Sequence, residues 1–392
     1  MRLLLYAPVF VRPSETFIYD LATELASAGV DVSVVTSRRE LAEECPFEPV
    51  TVVPKPGRWS PDRLARRVYG GILGRYGGRD ASTAAHRARI GATLKGTRPD
   101  IILAEYGESG VLLARLARAI NVPLVVSFHG ADATRAARGP FWRSHYASML
   151  PLVAAATGPS AYIRDKLIDL GCPPDRAHVI HNGVRLNRIP FTSPVDRYTG
   201  GEIRFLFVGR LTEKKDPISL LRSFARARSA LTDKQLTLTI VGDGPLRHDV
   251  EREIRSLQLE ESVRLLGRQP HSRVIELFGT SHIYVQHSVT AMDGDEEGLP
   301  VSITEALASG LPVISTRHSG IPEIVRHGET GLLVAEGDVA GMAQAIIDLA
   351  HNPESWQGYG EAGRTVLEEE FAMPVVQRRL RSFLQSICEQ HS

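Results

Sequence analysis

Residues 293–316 read Asp293-Gly-Asp-Glu-Glu297-Gly298-Leu299-Pro300-Val301-Ser302-Ile-Thr-Glu305-Ala-Leu-Ala-Ser-Gly310-Leu-Pro-Val-Ile-Ser-Thr316. A loop rich in glycine and acid runs into a helix predicted to begin near Pro300, where proline suits the first turn. The backbone N–H groups from Gly298 to Ser302 then find no acceptor inside the helix, and they lie at the positive end of its dipole. A diphosphate placed there gains hydrogen bonds and a favourable field. Glu297 and Glu305 stand eight residues apart. On a helix that is roughly 12 Å along the axis and about 80° around it. Two carboxylates so placed do not share one bond as an acid/base pair would. Two separate contacts fit better, one carboxylate on sugar hydroxyls and the other on a ribose.

Outward from this segment, short apolar runs alternate with helical patterns along the whole chain, the pattern of parallel sheets with crossover helices. The strands predicted in the first half are Leu3–Tyr6, Val32–Thr36, Ile101–Ala104, Leu124–Phe128, Val153–Thr157 and Val179–His181. A second series follows a Pro/Gly-punctuated stretch from Arg188 to Gly201: Phe205–Val208, Thr237–Val241, Val263–Leu266, Ile283–Gln286, Val313–Ser315 and Leu332–Val334. Most are continuous apolar runs, as expected when both faces of a sheet are covered. The reading is α/β, with two Rossmann-like domains facing across a cleft. The domains are 1–188 and 201–372, with a C-terminal helix in 373–392 expected to return to the first domain. Ligands of such sheets bind beyond the carboxyl ends of the strands.

The bulk numbers agree. A chain of 392 residues is long enough for two domains, and its 43% hydrophobic and 23% charged residues are ordinary for a globular protein. Net charge is +1 and names no partner. Cys45, Cys172 and Cys388 are widely spaced, without a CxxC pair, which fits a reducing compartment rather than a disulfide framework. Met1–Pro8 is too short an apolar run for a signal peptide and reads as a buried strand. No stretch approaches the length of a membrane helix. A cytoplasmic location is expected, peripheral to the plasma membrane if the basic stretch Arg58–Arg98 touches it.

That stretch holds ten basic residues against Asp62 and Asp80, with Trp59, Leu64, Tyr69 and Tyr76 among the interleaved apolar residues. A solvated helical face and a patch for an anionic membrane or acceptor are equally open readings. Nothing else in the chain suggests nucleic-acid binding.

Several further motifs carry chemistry. Arg210 follows a predicted strand directly, and Lys214 and Lys215 lie in the same loop; a planar fork and a point charge suit phosphate oxygens. His129, in Ser127-Phe-His-Gly130, stands at a strand end facing the cleft. Ser14, Glu15 and Thr16 precede a helix predicted from Phe17 to Ala28 and offer a loop for a phosphate or an acceptor hydroxyl.

The Glu-x7-Glu segment, followed by Glu-Ala-Leu-Ala-Ser-Gly-Leu-Pro-Val, closely resembles glycosyltransferase family 4. So do Gly158-Pro-Ser160, His181-Asn-Gly-Val184, Phe207-Val-Gly209-Arg210-Leu-Thr-Glu-Lys-Lys215-Asp216, Val241-Gly-Asp-Gly-Pro245 and Gly328-Glu-Thr-Gly331, in that family's order. The resemblance implies the GT-B fold and retaining transfer of a hexosyl unit from a nucleoside diphosphate sugar. A UDP-sugar is favoured over a GDP-sugar. The implied acceptor is a glycan hydroxyl, taken as that of a lipid-linked saccharide. The resemblance also favours Lys215 over Lys214 as the partner of Arg210. Gly209, Arg210, Lys215, Gly298, Leu299, Pro300 and Val301 would surround the diphosphate, Glu305 the ribose, and Glu297 and His129 the sugar. Ser14-Glu-Thr-Phe17 and Ser315-Thr-Arg-His-Ser-Gly-Ile-Pro-Glu323 look like the branch that builds exopolysaccharides of the colanic-acid type. Arg185 stands where the family usually has Asp.

Asp293-Gly294-Asp295 looks like the metal-binding Asp-x-Asp of the other major glycosyltransferase fold, but that site belongs to a single-domain architecture. No metal and no cofactor are expected, and a front-side mechanism is favoured because no covalent nucleophile is evident. Two rival readings are a nucleotide-sugar 2-epimerase on the same fold and a non-catalytic nucleotide-sugar binding protein.

Overall fold

The apolar run Leu3–Tyr6 lies within strand β1 (Arg2–Ala7) in the computed structural model, which describes residues 1–11, 17–55 and 84–391. Ser14, Glu15, Thr16 and residues 58–83 of the basic stretch lie outside the described residues. Because side chains alternate along a strand, Leu4 and Tyr6 enter one apolar cluster while Leu3, Leu5 and Ala7 enter another on the opposite face.

Around β1 the first sheet assembles β2 (Asp31–Thr36), β3 (Val50–Val52), β4 (Ile101–Glu105), β5 (Leu124–Ser127), β6 (Ala155–Gly158) and β7 (Ala177–Val179), in the order β3-β2-β1-β4-β5-β6-β7. The second sheet holds β8 (Glu202–Val208), β9 (Gln235–Val241), β10 (Val263–Gly267), β11 (Ile283–Val285), β12 (Val313–Thr316) and β13 (Gly331–Val334), in the order β10-β9-β8-β11-β12-β13. Every strand pairing among the described residues is parallel. Phe205, Phe207 and Ile240 fill one face of the second sheet, and Leu206, Val241 and Tyr284 the other. Two parallel α/β sheets with helices packed on them form the GT-B architecture.

Several strand limits depart from the sequence expectation: β8 begins three residues earlier, at Glu202, and β9 two earlier, at Gln235. β3 is three residues between Pro49 and Pro54, too short for periodicity to register. β7 ends at Val179 rather than His181, because the chain leaves the sheet toward the domain junction. β5 stops at Ser127, and β6 begins two residues later than expected, at Ala155.

The chain crosses between the sheets twice, and the crossings are stitched together. Val184 N–H donates to Phe371 O at 2.9 Å, and Met373 N–H to Val184 O at 2.9 Å. Gly183 has no side chain because the Met373 sulfur would lie 2.7 Å from a Cβ there. After this stitch the helix Met373–His391 runs back over the first sheet, where Leu380, Leu384 and Ile387 join the cluster of Leu3, Leu5 and Ile18. Arg185 forms ion pairs with Asp20 (2.7 Å) and Glu24 (3.2 Å) on the helix Phe17–Ser27, clasping that helix to the junction. No helix among the described residues is long and apolar enough to cross a membrane.

Leu384 is fully buried between the terminal helix and the first sheet. Leu384→Ala is expected to lower stability by about 2–5 kcal/mol through lost burial and a residual cavity. Chemical unfolding of the variant beside the wild type measures this.

Candidate functional site

Strand order in the second sheet reverses between β8 and β11, so the loops after these two strands splay apart and leave a crevice. Gly209 opens the first loop. Its N–H donates to Val241 O at 2.9 Å, and Leu211 N–H to Asp243 O at 3.1 Å. The loop therefore lies flat on residues 241–244. Only glycine permits that approach: a Cβ on Gly242 would strike Gly209 O, and one on Gly244 would strike Leu211 O. The chain then tightens through Glu213–Lys215 and caps the helix Pro217–Ala230 with Asp216, whose carboxylate accepts from Ser219 N–H at 3.1 Å. This turn drives Lys215 inward, to 9% exposure, and leaves Arg210 exposed with no partner among the described residues.

The loop after β11 meets it. Lys215 Nζ lies 3.0 Å from Glu297 Oε1 and donates to Gln286 Oε1 at 3.3 Å. Gln286 is itself held. The Tyr284 hydroxyl lies 2.9 Å from both Gln286 Oε1 and Ser302 Oγ, and Gln286 Nε2 donates to Ser288 Oγ at 2.7 Å. Burial alone would raise the Glu297 carboxyl, but the nearby Lys215 and Lys214 outweigh it and hold the group below the usual carboxylate range. Burial lowers the Lys215 ammonium, and Glu297 offsets only part of that.

The remaining acids of the loop are shared among Lys214, Arg135 and Tyr162. Lys214 reaches Asp295 at 3.1 Å, Arg135 lies 3.6 Å from Asp293 and from Asp295, and the Tyr162 hydroxyl donates to Glu296 at 2.6 Å. Burial first, and then Glu296, raise the Tyr162 phenol. Arg135 and Tyr162 belong to the first domain, so the acidic loop is clasped from across the cleft. Glu323 completes the clasp, accepting from the Ala161 and Tyr162 amides at 3.0 and 3.3 Å where the helix Ala161–Asp169 begins. Among the described residues, no three His, Cys, Asp or Glu side chains converge as a metal cage would require.

The helix after the loop spans Val301–Ala308, with Pro300 as its N-cap. The amides of Gly298, Leu299, Val301 and Ser302 donate to no acceptor among the described residues, whereas Ile303 and Thr304 already bond to Pro300 O. A row of open donors thus borders Lys215 and Glu297. Glu305, a turn into the helix, meets His271 Nε2 at 2.8 Å. The hydrogen bond to Glu305 raises the imidazole above its ordinary value. Gly209, Lys215, Glu297 and Gly298 therefore adjoin one another where the two loops meet, with Arg210 exposed in the same loop.

His129 belongs to the other wall. Its backbone faces the crevice: a Cβ on Gly298 would sit 2.5 Å from His129 O, and one on Gly130 would sit 3.0 Å from Gly298 N. Its imidazole turns inward instead, with Nε2 2.6 Å from Glu105 Oε2 at the end of β4. Phe17 and Tyr106 flank the ring at 4.8 Å each, Tyr106 in the left-handed region at φ 72°. Glu105 and His271 were missed in the sequence. Glu105 had a usable signal, an acid closing an apolar strand; His271 had none.

Two family models cover nearly all of the chain. "Glycosyltransferase Family 4" matches residues 14–188, and "Glycosyl transferases group 1" matches residues 193–366. The amylovoran biosynthesis glycosyltransferase AmsK of Erwinia amylovora is 28% identical over 415 residues, covering 99% of this chain and 100% of its own. The putative colanic acid biosynthesis glycosyltransferase WcaL of Escherichia coli is 30% identical over 302 residues, 74% of this chain and 71% of its own. Among solved structures, Anabaena HepE in complex with UDP superposes with a TM-score of 0.77 at 19% identity, covering 98% of this chain and 100% of that one.

The buried pair makes a pH-dependent prediction. Lys215→Met leaves Glu297 buried without its nearest cation and is expected to cost roughly 3–5 kcal/mol at neutral pH. Burial then raises the carboxyl above its unfolded value, so the native state binds the extra proton and the loss shrinks as pH falls. Adding Glu297→Gln should restore most of the stability. Urea unfolding at pH 5 and pH 8 measures both effects; a deficit independent of pH would contradict them.

Proposed function

Because this chain belongs to glycosyltransferase family 4, we propose that it transfers a hexosyl unit, with retention, from a nucleoside diphosphate sugar to a hydroxyl of a growing glycan. The observation that carries the proposal is the crevice where Lys215 and Glu297 meet beside four open amides. A diphosphate against those amides gains the helix dipole and the charge of Lys215 and Arg210. Glu305 exchanges His271 for the ribose hydroxyls, and Glu297 turns from Lys215 to the sugar hydroxyls. His129, its ring held by Glu105, borders the sugar from the opposite wall through its backbone.

The chemistry follows from charge. As the bond from the anomeric carbon to the β-phosphate oxygen breaks, negative charge grows on the phosphate. Arg210, Lys215 and the amides stabilise that charge without a metal. The acceptor oxygen bonds to the same face of the carbon, and its proton passes to the departing phosphate oxygen. No covalent intermediate is required.

A UDP-sugar is the favoured donor, since the HepE structures were determined with UDP and with UDP-glucose. The names of AmsK and WcaL support an acceptor in exopolysaccharide assembly, which we take to be a lipid-linked saccharide. Exposed Arg89, Lys95 and Arg98, on and beside the helix Ala84–Thr97, support contact with an anionic membrane surface.

Arg210→Ala is expected to reduce kcat/KM for a UDP-sugar by about 10²–10³-fold, and Glu297→Ala to reduce turnover strongly. Wild-type transfer should survive excess EDTA. Steady-state assays on purified enzyme decide; variants that transfer at the wild-type rate would refute the site. Binding to anionic vesicles should weaken steeply between low and physiological salt, and flotation that finds no binding at low salt would refute the membrane contact.

A further inference from the structure

Glu297 is held through its backbone as well as its carboxylate. Its N–H donates to His318 Nε2 at 3.1 Å, and its carbonyl accepts from the Ser319 hydroxyl. An amide N–H only donates, so His318 Nε2 must be unprotonated there, and the ring carries its hydrogen on Nδ1. Nδ1 lies 2.6 Å from Glu336 Oε1, a strong acceptor that selects this tautomer. The other oxygen, Glu336 Oε2, accepts from Thr290 N–H at 2.9 Å. One carboxylate–imidazole pair thus pins the loop after β11 at both ends, at Thr290 and at Glu297. His318 is 1% exposed and supported from behind: Arg317 N–H donates to Val334 O at 2.7 Å, joining its turn to the end of β13. Gly320 continues the arrangement, since a Cβ there would strike Gly298 O.

We infer that His318 and Glu336 are positioning residues that set the place of the Glu297 carboxylate, with His318 in the Nδ1–H tautomer. This rests on the proposed contact of Glu297 with the donor sugar. It adds two residues that touch neither sugar nor nucleotide yet fix the group that touches the sugar. The nucleotide end of the crevice, at Arg210, Lys215 and Glu305, does not depend on them. Loss of the pair therefore moves the sugar's contact while leaving the nucleotide's contacts in place, which predicts a fall in kcat rather than in nucleotide affinity.

The side-chain reach of the substitutions provides the test. Gln at 318 carries its amide oxygen to the place of Nε2 and can accept from Glu297 N–H; Asn reaches only the place of Nδ1. His318→Asn and His318→Ala are expected to lose about tenfold or more in kcat with a UDP-sugar, because the residue that orients the Glu297 carboxylate is gone, with UDP affinity by calorimetry unchanged. His318→Gln should recover most of the loss. Independently, ¹⁵N spectra of histidine-labelled wild-type protein, assigned by the signal missing from His318→Gln, should show Nε2 unprotonated. Wild-type kcat in His318→Ala, or an Nε2-protonated ring, would overturn the inference. A His318→Gln variant as slow as His318→Ala would overturn it too. Wild-type protein that binds neither UDP nor a UDP-sugar would overturn the donor-site reading instead, while the spectrum still decides the tautomer.

Discussion

A lysine and a glutamate buried together, Lys215 and Glu297 at 3.0 Å, tie the loop after β8 to the loop after β11. Neither charge is tolerable alone in an apolar interior, and the attraction repays desolvation only when the geometry is held and the remaining valences are filled. The surroundings hold that geometry, although among the described residues Glu297 Oε1 meets no hydrogen-bond donor beyond the Lys215 ion pair. Gln286 accepts from Lys215, Tyr284 and Ser302 support Gln286, and His318 and Ser319 hold the Glu297 backbone. The glycines of the 241–244 turn let the Lys215 loop lie close enough to reach. Such a pair is costly as a purely stabilising device. It makes physical sense where an incoming anion takes over the lysine and incoming hydroxyls take over the carboxylate.

The two domains meet over this pair by backbone rather than by side chain. Gly130 and Gly298 leave room for main-chain atoms of the facing wall, and a Cβ on Gly298 would strike His129 O. Around that contact, Arg135, Tyr162 and Thr134 reach the acidic loop from the first domain, and Glu323 reaches back to the Ala161 helix. The acids that look in sequence like one cluster are thus distributed among several partners. Their role in this geometry is to hold the loop and the domains in register.

Much of this was legible in the chain. The central strands are continuous apolar runs because helices cover both sheet faces, and that pattern survives without knowledge of pairing. β3 was not legible, since three residues between prolines carry no period. In the site, Lys215 and Glu297 could be read because each sits beside a strand end or a helix start that explains it. Their supporters could not. Glu105 contacts His129 across 24 residues, His271 contacts Glu305 across 34, and His318 contacts the Glu297 amide across 21. Only the folded sheet order brings those residues together. His129 shows the same limit: its position at a strand end was readable, but the inward turn of its ring toward Glu105 was not. Arg185, out of pattern in sequence, gains its account from Asp20 and Glu24.

The central claim is that the crevice between the β8 and β11 loops binds a nucleoside diphosphate sugar through fixed side-chain charge. Thermal denaturation of the wild-type protein in excess EDTA, against UDP-, GDP-, ADP- and TDP-sugars, tests it most directly. Ligand bound only by the native state raises Tm, and saturation at a hundred times Kd adds roughly 2.7 kcal/mol. The account predicts a clear rise with at least one donor, largest with a UDP-sugar, and no further rise when magnesium replaces EDTA. Unchanged melting with all four donors, or a shift that appears only with the metal, would contradict it.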